Sequence, residues 1–438
     1  MTPETLVLLM FVGIVIGIFS GFPIAFTLAG LGIIFGLVGW GPHVFALIGS
    51  KTFTLTTNYT LIAIPLFVFM GSMLSSSGIA DEAYNVMNQW LRKVKGGLAY
   101  ATVIICTLFA ACTGIVGASV TTMGLLALPA MVNRGYNKSL SCGVVSSGGT
   151  LGILIPPSIM LIMYGPISGV SVVKLFSAAF VPGLILAALY MIYIFIAIRV
   201  KKNQVPTTEE EEMYSKKKYT LFGGLITFVP IMFLILAVLG AIFFGIAAPT
   251  EAAAVGALGS IIIAIAYKRF TWSALRKAAV ETLETSAMIM YVAIGANLFT
   301  GVFFAVGGSG VVENFVSNLG FGPYGVLALF LLIIFFLGMI IDWVGIFLLI
   351  LPIFLPIIYS YGLNPLWVGM LVCIVMQTSF LTPPYALSLF YLKGVAPKGV
   401  TINHIYKGVI PFVLIQVVFL FFCIIFPKIV LWLPEILR

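Results

Sequence analysis

Apolar residues recur along this chain in runs close to the ~20 positions a helix needs to cross a bilayer, and short polar stretches separate the runs. Hydropathy and punctuation predict spans near 5–20, 22–40 and 60–77, an apolar hairpin over about 98–132, a broken span over 140–165 and a span over 176–199. A polar loop from Lys201 to Tyr219 divides the chain. Spans follow near 220–246, 251–267 and 285–304, then a second hairpin over about 323–358, a second broken span over 366–392 and a last span over 409–433. The broken spans carry proline pairs, Ile155-Pro156-Pro157-Ser158 and Thr382-Pro383-Pro384-Tyr385. Proline lacks a backbone N–H and its ring clashes with the preceding turn. In lipid, the freed carbonyls are tolerated only where protein or a water-filled cavity satisfies them. Two broken spans at matching places in two halves point to a transporter binding site.

Composition agrees with this pattern. Hydrophobic residues make up 61% of the chain and charged residues 8%, against about 25% charged in an ordinary globular domain. The expected class is an all-α integral membrane protein. Met1-Thr2-Pro3-Glu4 lacks the basic start of a signal peptide, so the first span is expected to be retained. The five cysteines, Cys106, Cys112, Cys142, Cys373 and Cys423, lie in apolar stretches without paired spacing. They read as small packing residues rather than a disulfide framework or zinc site.

Charge sets an orientation. If both hairpins re-enter from the side they left, each half crosses five times, and the second half is inverted relative to the first. The expected cytoplasmic segments then hold Arg92, Lys93, Lys95, Arg134, Lys138, Arg199, Lys201, Lys202, Lys216, Lys217, Lys218, Lys268, Arg269, Arg276, Lys277, Lys393, Lys398 and Lys407, which is 18 of the 22 basic residues. Lys51, Lys174, Lys428 and Arg438 remain outside. The positive-inside rule therefore puts both termini outward. Full spans in place of hairpins would add even numbers of crossings and keep most of these assignments. The net charge of +9 is thus mostly topological. Basic residues spread over several loops without a motif do not suit nucleic-acid binding.

The halves also align. Pro129, Gly135, Asn137, Pro156 and Pro157 find partners 227 positions later in Pro356, Gly362, Asn364, Pro383 and Pro384. Pro23 and Gly30 match Pro249 and Gly256 at an offset of 226, and Gly78 before Asp81 resembles Gly310 before Glu313. Proline and glycine fix backbone shape, so this coincidence suggests a duplicated structure. Half-polar stretches at 81–92 and 271–277 read either as helices in the membrane interface or as simple connecting helices.

The candidate chemistry lies in the hairpin turns and the breaks. Cys112–Thr122 and Ser146–Ser158 combine glycines, prolines and hydroxyls inside apolar segments. Unwound carbonyls and half-helix C-termini can coordinate Na⁺, while half-helix N-termini face anions. Close packing through small residues is the alternative for either stretch. Both recur, as Gly338–Gly345 and Gln377–Pro384. Of 13 acidic residues only Asp342 sits deep in an apolar segment, where ionisable groups are costly and commonly functional. Glu251, after Ala248-Pro249-Thr250, reads as a helix-capping residue. His43 and His404 fall on opposite sides, and no Walker-type loop is present. An enzyme is therefore not expected, and no cofactor is implied beyond a coupling ion.

Gly148–Ser158, Ala248–Gly256 and Leu351–Pro356 leading to Thr382-Pro383-Pro384 carry a resemblance. The chain resembles the large membrane subunit of the tripartite ATP-independent periplasmic (TRAP) transporters over nearly its whole length. That resemblance implies an inverted-repeat elevator fold with two re-entrant hairpins and two broken helices. It implies Na⁺/organic-anion symport across the bacterial inner membrane. It also implies a small membrane subunit of about four spans and a periplasmic substrate-binding protein that delivers a carboxylate such as a sialic acid, dicarboxylate or oxo acid. Ser379 and Ala386 stand where the family often has glycine.

The resulting division is 1–97 for scaffold spans and the first interfacial helix, 98–175 for the first half of a transport domain, and 176–199 for a scaffold or linking span. A cytoplasmic loop covers 200–219, further scaffold 220–320, the second transport half 321–395 and a final span 396–438. Expected sodium ligands are Gly114, Gly117, Ser119, Gly149, Gly152 and Pro156 in one region, and Asp342, Gly345, Thr378, Thr382 and Pro383 in the other. Thr122, Ser147, Thr150, Ser158 and Ser379 are expected to face substrate. A stand-alone Na⁺/dicarboxylate symporter of related fold is the neighbouring alternative, and a passive channel a more distant one.

Overall fold

The computed structural model describes residues 2–200, 204–206, 221–384 and 386–437. Most of the Lys201–Tyr219 loop, Tyr385 and Arg438 lie outside the described residues. Within them the chain is helical and contains no strand. Eight helical stretches are long and apolar enough to cross a membrane, and shorter apolar helices accompany them.

The first half runs α1 (Pro3–Phe19), α2 (Ile24–Trp40), α3 (His43–Thr56), a 3-10 turn (Tyr59–Ile62), α4 (Ala63–Ser76) and α5 (Ile79–Leu91). The first hairpin is α6 (Gly97–Thr113) and α7 (Val116–Asn133). The broken helix is α8 (Lys138–Thr150) and α9 (Ile159–Ser168), and α10 (Val172–Val200) ends the half. The second half runs α11 (Leu221–Phe243), α12 (Pro249–Ala266), α13 (Trp272–Ala305) and α14 (Gly308–Asn318). Its hairpin is α15 (Pro323–Gly338) and α16 (Trp343–Ser360), its broken helix α17 (Pro365–Ser379) and α18 (Leu387–Val395), and α19 (Ile402–Ile425) and α20 (Lys428–Ile436) close the chain.

Two sets of helices can be traced, and they meet where α13 packs on α16 and α4 on α6. The helices α1 to α4 and α11 to α13 pack together, through α2 on α13, α4 on α12 and α13, and α11 on α12. The two hairpins and broken helices form the other group, joined where α7 meets α18 and α9 meets α16 and α17. Glycines permit the closest approaches. A Cβ at Gly295 would run into Ala25 O of α2, and one at Gly408 of α19 would run into Ser139 O of α8.

The amphipathic α5 buries Ile79, Ala80, Ala83, Tyr84 and Val86. Its polar side ties loops together: Glu82 pairs with Arg269 at 3.3 Å, and Arg134 donates to Asn88 Oδ1 at 3.3 Å. The Lys138 ammonium donates to Gly399 O at 2.9 Å. These contacts gather several of the Lys- and Arg-bearing segments on one face.

Three expectations change. Residues 271–277 form no separate interfacial helix; they are the first turns of α13, whose 34 residues span about 51 Å at 1.5 Å per residue. The counterpart of α5 is α14, entered through left-handed Gly307 as α5 is entered through left-handed Gly78, so Gly307 rather than Gly310 is the structural match. The last span stops at Ile425 because Pro427 interrupts it. Glu251 caps α12, its carboxylate accepting from Ala248 N–H at 2.9 Å.

Candidate functional site

The two broken helices start on the same local chemistry. Asn137 Oδ1 accepts from Ser139 and Leu140 N–H at 2.9 and 3.1 Å, and Asn364 Oδ1 accepts from Leu366 and Trp367 N–H at 2.9 and 3.3 Å. Left-handed Gly135 (φ 80°) and Gly362 (φ 76°) turn the chain just ahead of these caps. The helices stop at Thr150 and Ser379, short of the proline pairs. Both Pro–Pro peptides are cis. A serine hydroxyl spans each break: Ser158 donates to Ile153 O, and Ser388 donates to Phe380 O at 2.6 Å. Ile153 and Phe380 are 227 positions apart, so the same carbonyl is satisfied twice by differently placed donors.

The first hairpin turns at left-handed Gly114 (φ 57°), and a Cβ there would lie 3.0 Å from Pro157 O and 3.3 Å from Ile159 N. Gly152 faces the same turn, with Gly114 C 3.9 Å from where its Cβ would be. Gly149 lies directly against Val120, 3.1 Å from the Val120 backbone nitrogen by the same measure. Ser119 and Thr113 share a hydrogen bond of 2.8 Å. Gly114, Ser119, Gly149, Gly152 and Pro156 are thus gathered around one turn and one break. Gly117 faces elsewhere, towards the Tyr391 ring of α18, 3.1 Å from where its Cβ would be.

The second hairpin meets its own break through Gly338, where a Cβ would lie 2.8 Å from Ser379 Cβ. Asp342 caps α16, its carboxylate accepting from Val344 N–H at 3.3 Å. Gly345 is turned towards Ile24 of α2, 2.7 Å from where a Cβ would be. Thr378 lines an apolar groove of about 290 Å³ with Leu331, Phe335 and Leu420, and Thr382 donates to Thr378 O at 2.8 Å.

The hydroxyls expected to face substrate take varied positions. Thr122 shares a hydrogen bond of 3.2 Å with Ser75 of α4. Ser147 and Ser379 donate to carbonyls of their own helices, Gly143 O and Met376 O. Thr150 donates to Ser147 O and accepts from Gln377 Nε2 at 3.4 Å. Ser147, Thr150, Ser158 and Ser379 are all fully buried.

Two features escaped the sequence reading. Tyr391 of α18 is 43% exposed, and its ring lies against Gly117 of the first hairpin. It carries the second broken helix onto the first hairpin, and nothing in its local sequence marks it. The other feature is a buried polar node. Gln416 Nε2 donates to Tyr190 OH at 2.6 Å, and Gln377 Nε2 donates to Tyr190 OH at 3.5 Å and to Thr150. Gln377 follows Thr150 by 227 positions and Gln416 follows Tyr190 by 226, so partners in the repeat meet one another. The repeat spacing, extended to polar residues, could have found it.

Among the described residues no group of three or more His, Cys, Asp or Glu side chains could hold a metal ion. Carbonyls, hydroxyls and the single Asp342 carboxylate are the oxygen donors near the turns. That set suits a hard cation better than a soft, thiolate- or imidazole-bound metal.

A sequence model of the tripartite ATP-independent periplasmic transporter, DctM component, matches residues 7–429. The chain is 33% identical to the C4-dicarboxylate TRAP transporter large permease protein DctM of Pseudomonas aeruginosa, covering 88% of each chain. It is 28% identical to the sialic acid TRAP transporter permease protein SiaT of Haemophilus influenzae, covering 87% of this chain and 60% of that longer one. Its fold is similar to the crystal structure of the Alcanivorax borkumensis YdaH transporter, with a TM-score of 0.63 at 11% identity over 98% of this chain and 99% of that one.

Proposed function

Because the chain belongs to the tripartite ATP-independent periplasmic transporter family as its DctM component, we propose that it drives uptake of an organic carboxylate with a Na⁺ gradient. The observation that carries this reading is the meeting of each hairpin with its own break, Gly114 with Pro157 and Gly338 with Ser379. Each junction sets unwound backbone and hydroxyls beside a turn, the kind of donor set that coordinates Na⁺ in broken-helix transporters. Asp342 adds a negative charge in the second junction alone.

The substrate lies between the junctions, beside Tyr391. Its carboxylate is held by the N-termini of α9 and α18, since no Lys or Arg lies in the turns or breaks. The group of hairpins and broken helices moves as the transport body against the group built from α1 to α4 and α11 to α13. The second half is inverted relative to the first. The basic loops gathered around α5 face the cytoplasm under the positive-inside rule, and both termini face the periplasm. A small membrane subunit braces the static group, and a periplasmic binding protein presents the substrate. The greater length of the Haemophilus influenzae relative is in keeping with a second membrane unit.

The test is uptake by the chain reconstituted with its small subunit and binding protein. Accumulation of labelled succinate or N-acetylneuraminate should require an inward Na⁺ gradient. Undiminished uptake without Na⁺ removes the coupling. Full uptake by this chain alone removes the partners and favours a stand-alone symporter, and flux without accumulation favours a channel.

A further inference from the structure

Away from the hairpin turns, a cavity of about 300 Å³ opens at the seam between the two packing groups. One wall comes from α3, the following turn and α13, with Lys51, Thr54, Asn58, Asn297 and Thr300. The other comes from Met163 and Pro166 of α9 and Leu348 and Pro352 of α16. Asn297 lies 25 residues along α13 from Trp272, about 38 Å at 1.5 Å per residue, so the cavity is at the far end from the basic loops near Arg269.

The chemistry of this cavity is one-sided. Its lining contains a lysine and no acid. The ion pairs among the described residues are Arg269–Glu82 and Lys277–Glu281, and neither involves Lys51. Several other polar groups are already engaged: Thr54 and Thr300 donate to Ser50 O and Ala296 O, and Asn297 Nδ2 donates to Ala293 O. Asn58 uses its Oδ1 to accept from Thr60 N–H, which leaves its amide nitrogen as a donor in a cavity that Lys51 also lines. Gly301 supports the arrangement, since a Cβ there would lie 3.0 Å from Leu47 Cδ2 and 3.4 Å from Lys51 Cε. Its missing side chain lets the lysine stem lie across α13.

We infer that this cavity is a first docking station on the outer face, where Lys51 and Asn58 hold a carboxylate of the substrate before it reaches the hairpin turns. This inference rests on the transport reading above. Two donors and no acceptor charge select an anion. The apolar wall from α9 and α16 belongs to the group proposed to move, so a ligand here contacts both groups. The volume matches the lower end of small-molecule sites.

Two measurements on the reconstituted assembly decide it. With whichever of succinate or N-acetylneuraminate the wild type accumulates, Lys51→Gln should raise KM about 5-fold, the scale of one solvent-accessible charge at a binding rim, with kcat and the Na⁺ half-saturation unchanged. Lys51→Arg should restore KM. In the second measurement, Lys51→Cys should react from the outside with a membrane-impermeant thiosulfonate, against a low background because all five native cysteines are buried. A cationic adduct should recover the wild-type KM and an anionic one should raise it further. An unchanged KM in Lys51→Gln, or no labelling of Lys51→Cys from outside, overturns the docking station. Loss of Na⁺ dependence in the wild type instead overturns the transport reading and leaves the labelling result to decide where the cavity opens.

Discussion

The two breaks share a backbone plan and differ in how they fill it. In the first half the break carries Gly152, where a Cβ would lie 3.8 Å from Ala110 of the hairpin, and the residues 227 positions after Ala111 and Gly152 are Gly338 and Ser379. The small residue has changed sides. A Cβ at Gly152 would meet only ordinary contacts at 3.8 Å or more, whereas one at Gly338 would collide with Ser379. Ser379 therefore takes up space that Gly338 leaves free, and the departure from the family's usual glycine is compensated across the interface. The turns differ in the same way. The residue capping α7 is Ile115, and its counterpart capping α16 is Asp342, so only the second junction holds a carboxylate. Exposure differs too: Leu151 to Ser158 are all buried, while Thr382 and Pro383 are partly exposed and Pro384 is exposed. One junction is sealed, and the other is partly open. Equal backbone thus supports unequal chemistry.

The largest expected effect is on the exchanged glycine. Gly338→Val should destabilise the chain by about 3 kcal/mol, the upper range for overpacking a tight contact, read as a loss of thermal stability in lipid. Adding Ser379→Gly should recover much of this; strict additivity of the two changes would mean that the residues do not share the space. Gly152→Ala in the first half should be tolerated, which is the asymmetry at issue.

The node joining the halves comes next. Tyr190→Phe removes the oxygen that Gln377 and Gln416 both address and should cost about 2 kcal/mol, because buried amide donors lose their acceptor. Wild-type stability in Tyr190→Phe would show that the node holds nothing together. Asp342→Asn should leave folding intact while raising the Na⁺ half-saturation of uptake about 10-fold, a change of roughly 1.4 kcal/mol. An unaltered Na⁺ response would remove Asp342 from ion binding and leave it only a helix cap. The smallest effects should be the most symmetrical. Asn137→Ala and Asn364→Ala should each cost about 1 kcal/mol by loss of a cap, and a large difference between them would break the equivalence of the two halves.

Much of this fold was legible along the chain. Hydrophobic run length, proline pairs and the 227-residue offset mark the apolar hairpin segments and the breaks, because each depends on backbone preferences that act over a few residues. The capping role of Glu251 is local in the same sense. Where the reading departed from the structure, longer-range geometry was responsible. The first turns of α13 look amphipathic in isolation yet continue into a long helix. Gly117 and Gly345 sit in the right motifs but face Tyr391 and Ile24, because the rotation of a helix about its axis depends on what packs against it.

The sequence by itself determined that this is an all-helical membrane chain, placed it in its family and located the two interruptions. Apolar length and missing backbone N–H groups dictate those features without reference to neighbours. Only the tertiary structure decided that Tyr391 lies against Gly117, that Gly338 makes room for Ser379, and that Lys51 lines a cavity with no acid. Those facts are distances between segments far apart in the chain, and helix packing, rather than local propensity, sets them.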